Sequence, residues 1–366
     1  MQIPVGASDL TPSWMTAALR AEGTIGAAAV VAVDVRVVGE VGMTGQIFRV
    51  GIRYDHAPAG APGSVVAKLS GASPDVRDVV HSMGFYAREI GTYRELAHRC
   101  PLRMPQCYFA ALDDDSGDSV ILLEDLTDLR QLVHTGGPVF EVERLVADLA
   151  LLHATWWNDE HLSELPWLAL QGILTPEQGP GHLAQTWPTF LDRLSAPITP
   201  ELLATHALFM RYLEPVSTNL FGEPPLTLIH NDVQGDNLLW QEGAESPAVL
   251  IDWQLATRAR GVVDVAGFLC GHLDTEERLR HEQRLLRSYH AALTQSGVAD
   301  YPFDLCWDDY RCALLIPASR IAMAVGMHPE LRRTPGAFWD VLYPRFVAAI
   351  EDLNVADVLA ARYGSA

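Results

Sequence analysis

Positive charge is scarce in this chain: 26 Lys and Arg stand against 46 Asp and Glu, a formal net charge of −20 over 366 residues. A nucleic-acid partner would need a basic stripe to displace condensed counterions, so none is expected. Acidity on this scale keeps a protein soluble and also suits a cationic ligand. Cysteine is sparse. The five thiols, Cys100, Cys107, Cys270, Cys306 and Cys312, contain no Cys-x-x-Cys pair, which implies no zinc site and fits reduced thiols in a cytoplasmic setting. No uninterrupted apolar run reaches the roughly 18 residues that would mark a membrane span, and no basic stretch leads into an apolar core at the N-terminus. A soluble, non-exported chain without a membrane partner is expected. Internal repeats and low-complexity segments are also absent. At this length the chain has room for two lobes, because single cores stop growing near about 250–300 residues.

What is present converges on one stretch, His230-Asn231-Asp232-Val233-Gln234-Gly235-Asp236-Asn237, between the apolar runs 226–229 and 238–240. The runs read as strands and the polar segment as a loop. Residues 241–247 read as the turn of a hairpin whose return strand is 248–251, which brings Asn237, entering one strand, beside Asp252, leaving the other. Two neighbouring oxygen ligands suit Mg²⁺, a hard ion that takes one or two protein oxygens and completes its shell with water and phosphate. Asp232 precedes Asn237 by five residues. That spacing is the one a phosphoryl-transfer loop uses, with the carboxylate orienting a hydroxyl.

Upstream, residues 8–22 read as a helix with Thr11 as N-cap and Pro12 in its first turn. Val30 to Val38 and Gln46 to Tyr54 read as strands, and Gly39, Gly42 and Gly45 form the turn between them, with backbone that could close over phosphates. Because a strand follows, this is neither a Walker A loop nor a dinucleotide fingerprint. In the third strand, residues 64–69, Lys68 is the only charge. A helix over 76–100 carries an apolar stripe at Val79, Met83, Tyr86, Ile90, Tyr93 and Ala97, interrupted by Glu89. A carboxylate on a buried face requires a cation, and Lys68 is the candidate. Glu95 and Glu40 are its alternates, off the stripe.

The strand Val120 to Leu123 runs into acid at Glu124, which reads as a hinge; backbone groups of Leu123, Glu124 and Leu126 are placed to meet a purine edge. Beyond it the chain turns helical. His153 closes an apolar helix and reads as a core histidine satisfied by a backbone carbonyl. Trp156, Trp157, Trp167 and Trp187, interleaved with Asp159, Glu160 and Glu164, read as core for the most part and as material for an acceptor wall. Asp264, near the start of a helix at 261–268, is placed to brace the 230–237 loop.

Taken together, the stretches 64–69, 85–96, 122–126, 230–237 and 250–254 resemble the small-molecule branch of the protein-kinase-like superfamily, the aminoglycoside phosphotransferases and choline kinases. The pattern is most similar to the ecdysteroid-kinase-like group. The resemblance implies an α+β, two-lobed kinase-like fold, with a small antiparallel β lobe over 1–123 and a larger, mainly helical lobe over 124–366. It implies ATP or GTP and Mg²⁺ as cofactors, Lys68 on the nucleotide phosphates with Glu89 fixing it, Asp232 as catalytic carboxylate, and Asn237 and Asp252 as metal ligands. The implied acceptor is a hydroxylated small molecule, with an aminoglycoside, another natural product or a polyhydroxylated lipid-like metabolite in range. The acidic composition and clustered aromatics favour a non-anionic one. A monomer or homodimer is expected. Asn231 stands where relatives commonly have Gly, Gln234 where they have His or Trp, and Asp236 adds a carboxylate. A nucleotide-binding pseudokinase and a protein kinase are the other readings. The intact Lys68, Asp232, Asn237 and Asp252 speak against the first, and the lack of an Ala-Pro-Glu motif after Asp252 against the second.

Overall fold

The computed structural model describes residues 1–38, 45–56, 58–131, 138–240, 248–328, 333 and 337–364. The chain forms two compact units, Met1–Arg130 with Ile251–Gln254, and Gln131–Leu250 with Leu255–Ala366.

The first unit is built on an antiparallel sheet of β1 (Val30–Val37), β2 (Gly45–Tyr54), β3 (Ser64–Ser70), β4 (Cys107–Leu112) and β5 (Ser119–Glu124), in the order β1-β2-β3-β5-β4. Alternation makes this possible: in β3, Val65, Ala67 and Leu69 are buried, while Val66 and Lys68 are half-buried. The buried face packs on helix α1 (Pro12–Ala21) through Met15, Ala18 and Leu19. Each fully buried Leu or Met contributes about 1.5–3 kcal/mol. Thr11 caps α1 as its sequence position suggests, its hydroxyl accepting from Trp14 N–H at 3.2 Å.

The single helix expected over 76–100 is divided. α2 (Pro74–Ser82) stops before Gly84, and α3 (Phe85–Gly91) begins after it. Gly84 sits at φ +74°, a left-handed conformation that glycine takes without steric penalty. The break turns Val79 out to solvent while Tyr86, Glu89, Ile90 and Tyr93 stay buried.

The second unit is mostly helical: α4 (Val139–Thr155), α5 (Gly179–Arg193), α6 (Pro200–Gly222), α7 (Val262–His272), α8 (Thr275–Gln295), α9 (Phe303–Ala313), α10 (Leu315–Met327), α11 (Phe338–Asp352) and α12 (Val355–Tyr363). Strand Thr227–Ile229 pairs with Thr257–Ala259. The expected hairpin is present, Leu238 opposite Leu250 and Leu239 opposite Val249. Its turn at 241–247 lies outside the described residues. No helix among the described residues is long and apolar enough to cross a membrane.

The division departs from the boundary at 123/124 for a physical reason. Asp125 is bound to Arg49 at 2.6 Å and to Ser64 at 2.5 Å, so the acidic segment after β5 stays with the sheet. Residues 251–254 belong there as well, through Asp252 and through Gln254, whose carbonyl accepts from Arg88 Nη1 at 3.3 Å.

Candidate active site

In the first unit, β3 carries Lys68 and α3 carries Glu89. Lys68 Nζ lies 2.7 Å from Glu89 Oε2 and 2.7 Å from Asp252 Oδ1. The Glu89 side chain is only 3% exposed, so the partner inferred from the apolar stripe is the one found; Glu95 faces solvent, and Glu40 lies outside the described residues. Burial by itself would lower the Lys68 ammonium; Asp252 and Glu89 outweigh it and hold the group above its ordinary range. Burial pushes the Glu89 carboxyl above the usual carboxylate range and Asp252 adds to the push, while Lys68 pulls the other way. By formal count, two carboxylates and one ammonium leave one negative charge, an environment that accepts a further cation. Asp252 sits at φ +64°. A non-glycine residue pays about 1–2 kcal/mol for that conformation, least for Asp and Asn, and such outliers gather at functional sites.

In the second unit, the loop after Ile229 is held by Asp264, which lies in the first turn of α7. Asp264 Oδ2 accepts from His230 N–H at 2.8 Å and Oδ1 from Asn231 N–H at 2.6 Å, the bracing expected from its position. His153 is a core histidine, but its partners are side chains rather than a carbonyl: Nε2 is 3.3 Å from Asp264 Oδ2 and Nδ1 is 2.8 Å from the Tyr289 hydroxyl. Gly261 permits this, since a Cβ there would come within 2.5 Å of His153 Nδ1 and of the Tyr289 hydroxyl.

Asp232 and Asn237, five residues apart, are in contact. Asn237 Nδ2 donates to Asp232 Oδ2 at 2.9 Å and to its carbonyl at 2.9 Å. With the amide nitrogen so engaged, Oδ1 is the atom suited to a metal. Gln234 Nε2 donates to Asp232 Oδ2 at 3.3 Å, so the departure at 234 supports the carboxylate. Among the described residues no group of three or more His, Cys, Asp and Glu could hold a metal.

Of the glycines assigned to phosphates, Gly39 and Gly42 lie outside the described residues. Gly45 opens β2, where a Cβ would meet Leu69 O at 2.6 Å; close approach of two strands requires glycine there. At the hinge, Leu123 pairs with Val66 and Glu124 with Val65. The Glu124 N–H is taken by Gln106 O at 2.8 Å, so a purine contact at Glu124 would fall to its carbonyl. Leu126 O accepts from Leu129 N–H at 3.0 Å. The aromatics divide as core rather than wall: Trp156 is wholly buried, and Trp187 is buried with its ring stacked on His206, centroids 4.1 Å apart. Trp157 packs on Tyr301, centroids 5.2 Å apart.

Arg320 on α10 is absent from the sequence reading. Its Nη1 donates to the Asn231 carbonyl at 3.2 Å and also to Asn231 Oδ1. An arginine 89 residues beyond its partner in an apolar helix carries no local signal; the only hint is Asn231 itself. That residue sits at φ +69°, a left-handed conformation that glycine takes without steric penalty.

With this geometry in view, comparison with known proteins finds the same fold in solved small-molecule kinases. Choline kinase from Cryptosporidium parvum Iowa II superposes with a TM-score of 0.52 at 12% identity, covering 89% of this chain and 91% of that one. Wild-type aminoglycoside 2'-phosphotransferase-IIIa in complex with GDP gives 0.51 at 15% identity, covering 89% and 94%. The sequence model of one family, DUF1679 ("Uncharacterized oxidoreductase dhs-27"), matches residues 209–329. A Caenorhabditis elegans protein named "Uncharacterized kinase-like protein D1044.1" is 28% identical over 88 residues, 24% of this chain. The chain thus spans only 23% of the length of the curated relative it matches. At these identities the structural likeness, to a choline kinase and to an aminoglycoside phosphotransferase, shows the fold alone. The antiparallel first sheet is that of a kinase-like fold, not the parallel sheet of a dinucleotide-binding oxidoreductase.

Proposed function

We propose that this chain is a small-molecule phosphotransferase that moves the γ-phosphoryl of ATP or GTP, with Mg²⁺, to a hydroxyl of a non-anionic acceptor. The observation that carries the reading is the Lys68 ammonium held between Glu89 and Asp252, the strand-lysine and helix-glutamate pair of nucleotide kinases. Lys68 would meet phosphate oxygens, with Glu89 keeping its ammonium in place. Asp232, kept oriented by Asn237 and Gln234, would align the acceptor hydroxyl. Asn237 and Asp252 are the residues that would hold Mg²⁺, whose part is to offset charge on the phosphates. Catalysis on this scheme is chiefly positioning and charge neutralisation. The −20 net charge supports a neutral or cationic acceptor, and the structure adds one basic side chain beside the loop, Arg320, already engaged with Asn231.

The test is a screen of hydroxylated metabolites and antibiotics for acceptor-dependent release of ADP or GDP, with and without Mg²⁺. Turnover of a neutral or cationic alcohol supports the reading. An efficient acceptor that is already phosphorylated or carboxylated would remove the charge argument while leaving phosphoryl transfer standing. Nucleotide binding without turnover of any acceptor would turn the reading toward a regulatory pseudokinase.

A further inference from the structure

Asn231 is held from three sides. Its N–H donates to Asp264 Oδ1 at 2.6 Å, its Nδ2 to Leu255 O at 3.0 Å, and its carbonyl and Oδ1 both accept from Arg320 Nη1. Glycine would satisfy the backbone angle of φ +69° but could make neither of the two side-chain contacts. The asparagine therefore trades an easier backbone for a fixed one, and its fixity depends on a cation from a distant helix. Arg320 in turn is backed by the ring of Phe221, 5.6 Å from the guanidinium carbon. Burial lowers its pKa to about 10, with Asp232 and Asp264 opposing, so it stays charged at neutral pH. The residue that follows Asn231 in the chain is Asp232.

We propose that Arg320 is a positioning residue for Asp232: it locks Asn231 in the left-handed conformation, and the peptide they share carries that constraint to the catalytic carboxylate. The catalytic part of this rests on the phosphotransferase reading; the hold on the loop does not. Arginine is suited to the task because its planar guanidinium places a donor between two oxygens, which a lysine ammonium does with less directional control.

Two measurements on the full chain separate these parts. The first is hydrogen–deuterium exchange of residues 231–234 in the wild type, Arg320→Ala, Arg320→Lys and Asn231→Gly. Arg320→Ala should speed exchange there by about ten-fold or more while β3 stays protected. Unchanged exchange overturns the proposal. The second is turnover with whatever acceptor the screen finds, or slow nucleotide hydrolysis to water. Arg320→Ala should lower kcat by about 10–100-fold with nucleotide KM within about two-fold, and Arg320→Lys should recover part of the loss. Added guanidinium chloride at low millimolar concentration should rescue Arg320→Ala, because truncation enlarges a cavity of about 20 Å³ lined by Arg320, Leu213, Ile316 and Met323. In an Asn231→Gly background Arg320→Ala should add less than it does in the wild type, since the Oδ1 contact is already lost and only the carbonyl contact remains to be removed. Fully additive effects, or loss in KM alone, overturn the proposal. A wild type without turnover, combined with loosened exchange in Arg320→Ala, would sink the phosphotransferase reading and still support the hold of Arg320 on the loop. Normal turnover with unchanged exchange does the reverse.

Discussion

Lys68 Nζ lies 2.7 Å from Glu89 Oε2 although the two residues come from a strand and a helix 21 positions apart, and it lies equally close to Asp252 Oδ1. One ammonium thus serves two carboxylates, and removing it leaves both without their cation. In nucleotide kinases such a lysine is a phosphate ligand, so under the proposed function the ion cluster would link stability to chemistry at one atom.

Lys68→Ala should cost about 3–5 kcal/mol of stability, the range for breaking a buried pair from one side. Glu89→Ala should cost less than Lys68→Ala, because Asp252 still partners the ammonium. A double-mutant cycle read by chemical denaturation should show a coupling energy of about 1 kcal/mol or more. Strict additivity would mean that the contact contributes nothing in solution.

The two candidate catalytic carboxylates should separate by role. Asp232→Asn keeps an oxygen to accept from Asn237 Nδ2, so nucleotide binding should persist while kcat falls by about 10²–10⁴-fold. Asp252→Ala should abolish Mg²⁺-dependent nucleotide binding, measured by calorimetry with and without the metal. Near wild-type turnover in Asp232→Asn would reassign the loop.

Gly261→Ala probes the bracing of the loop without touching it. The new methyl would stand 2.5 Å from two rigid rings, His153 and Tyr289, and His153 contacts Asp264. Overpacking of this kind costs about 1–3 kcal/mol, and thermal unfolding should show it. An unchanged melting temperature would mean that the rings move aside freely.

Asp125 should shape the acid limb of stability. Burial by itself would raise its carboxyl, but hydrogen bonds from Ser64, Thr127 and Arg49 outweigh it and hold the group down to about 2, from an ordinary 3.8. A pKa depressed on folding stabilises fully above the ordinary value, and the contribution is lost as pH falls from about 4 toward about 2. Asp125→Asn should lower stability at pH 7 and flatten the decline over that window. Parallel pH profiles for the two proteins would refute the assignment.

Much of the site is legible in the sequence because its signals are local or periodic. Lys68 is the lone charge of an apolar strand and Glu89 the lone acid of an apolar helix face, so burial cost alone pairs them. Asp232 and Asn237 declare themselves by spacing, and the hairpin of Leu238 and Leu250 by apolar runs on either side of a polar turn. Other features are set by contacts that leave no mark on neighbouring residues. The break at Gly84 depends on a backbone angle, and a lone glycine within a helical pattern is ambiguous. Tryptophans look alike whether they line a wall or fill a core, and Trp156 and Trp187 fill one. His153 required knowing that Tyr289, 136 residues on, would reach it. Arg320 is the extreme case, for its meaning lies wholly in the conformation of Asn231.

Because Ile251–Gln254 belongs to the first unit, that unit is not one continuous stretch of chain. During synthesis its sheet and α3 can form as soon as residue 130 has emerged, yet Lys68 then has Glu89 alone for company. Asp252 arrives only after both strands of the hairpin that precedes it have been made. Completion of the ion cluster is thus a late event in the birth of the molecule, and a fragment ending at Arg130 would carry the lysine without one of its two carboxylates.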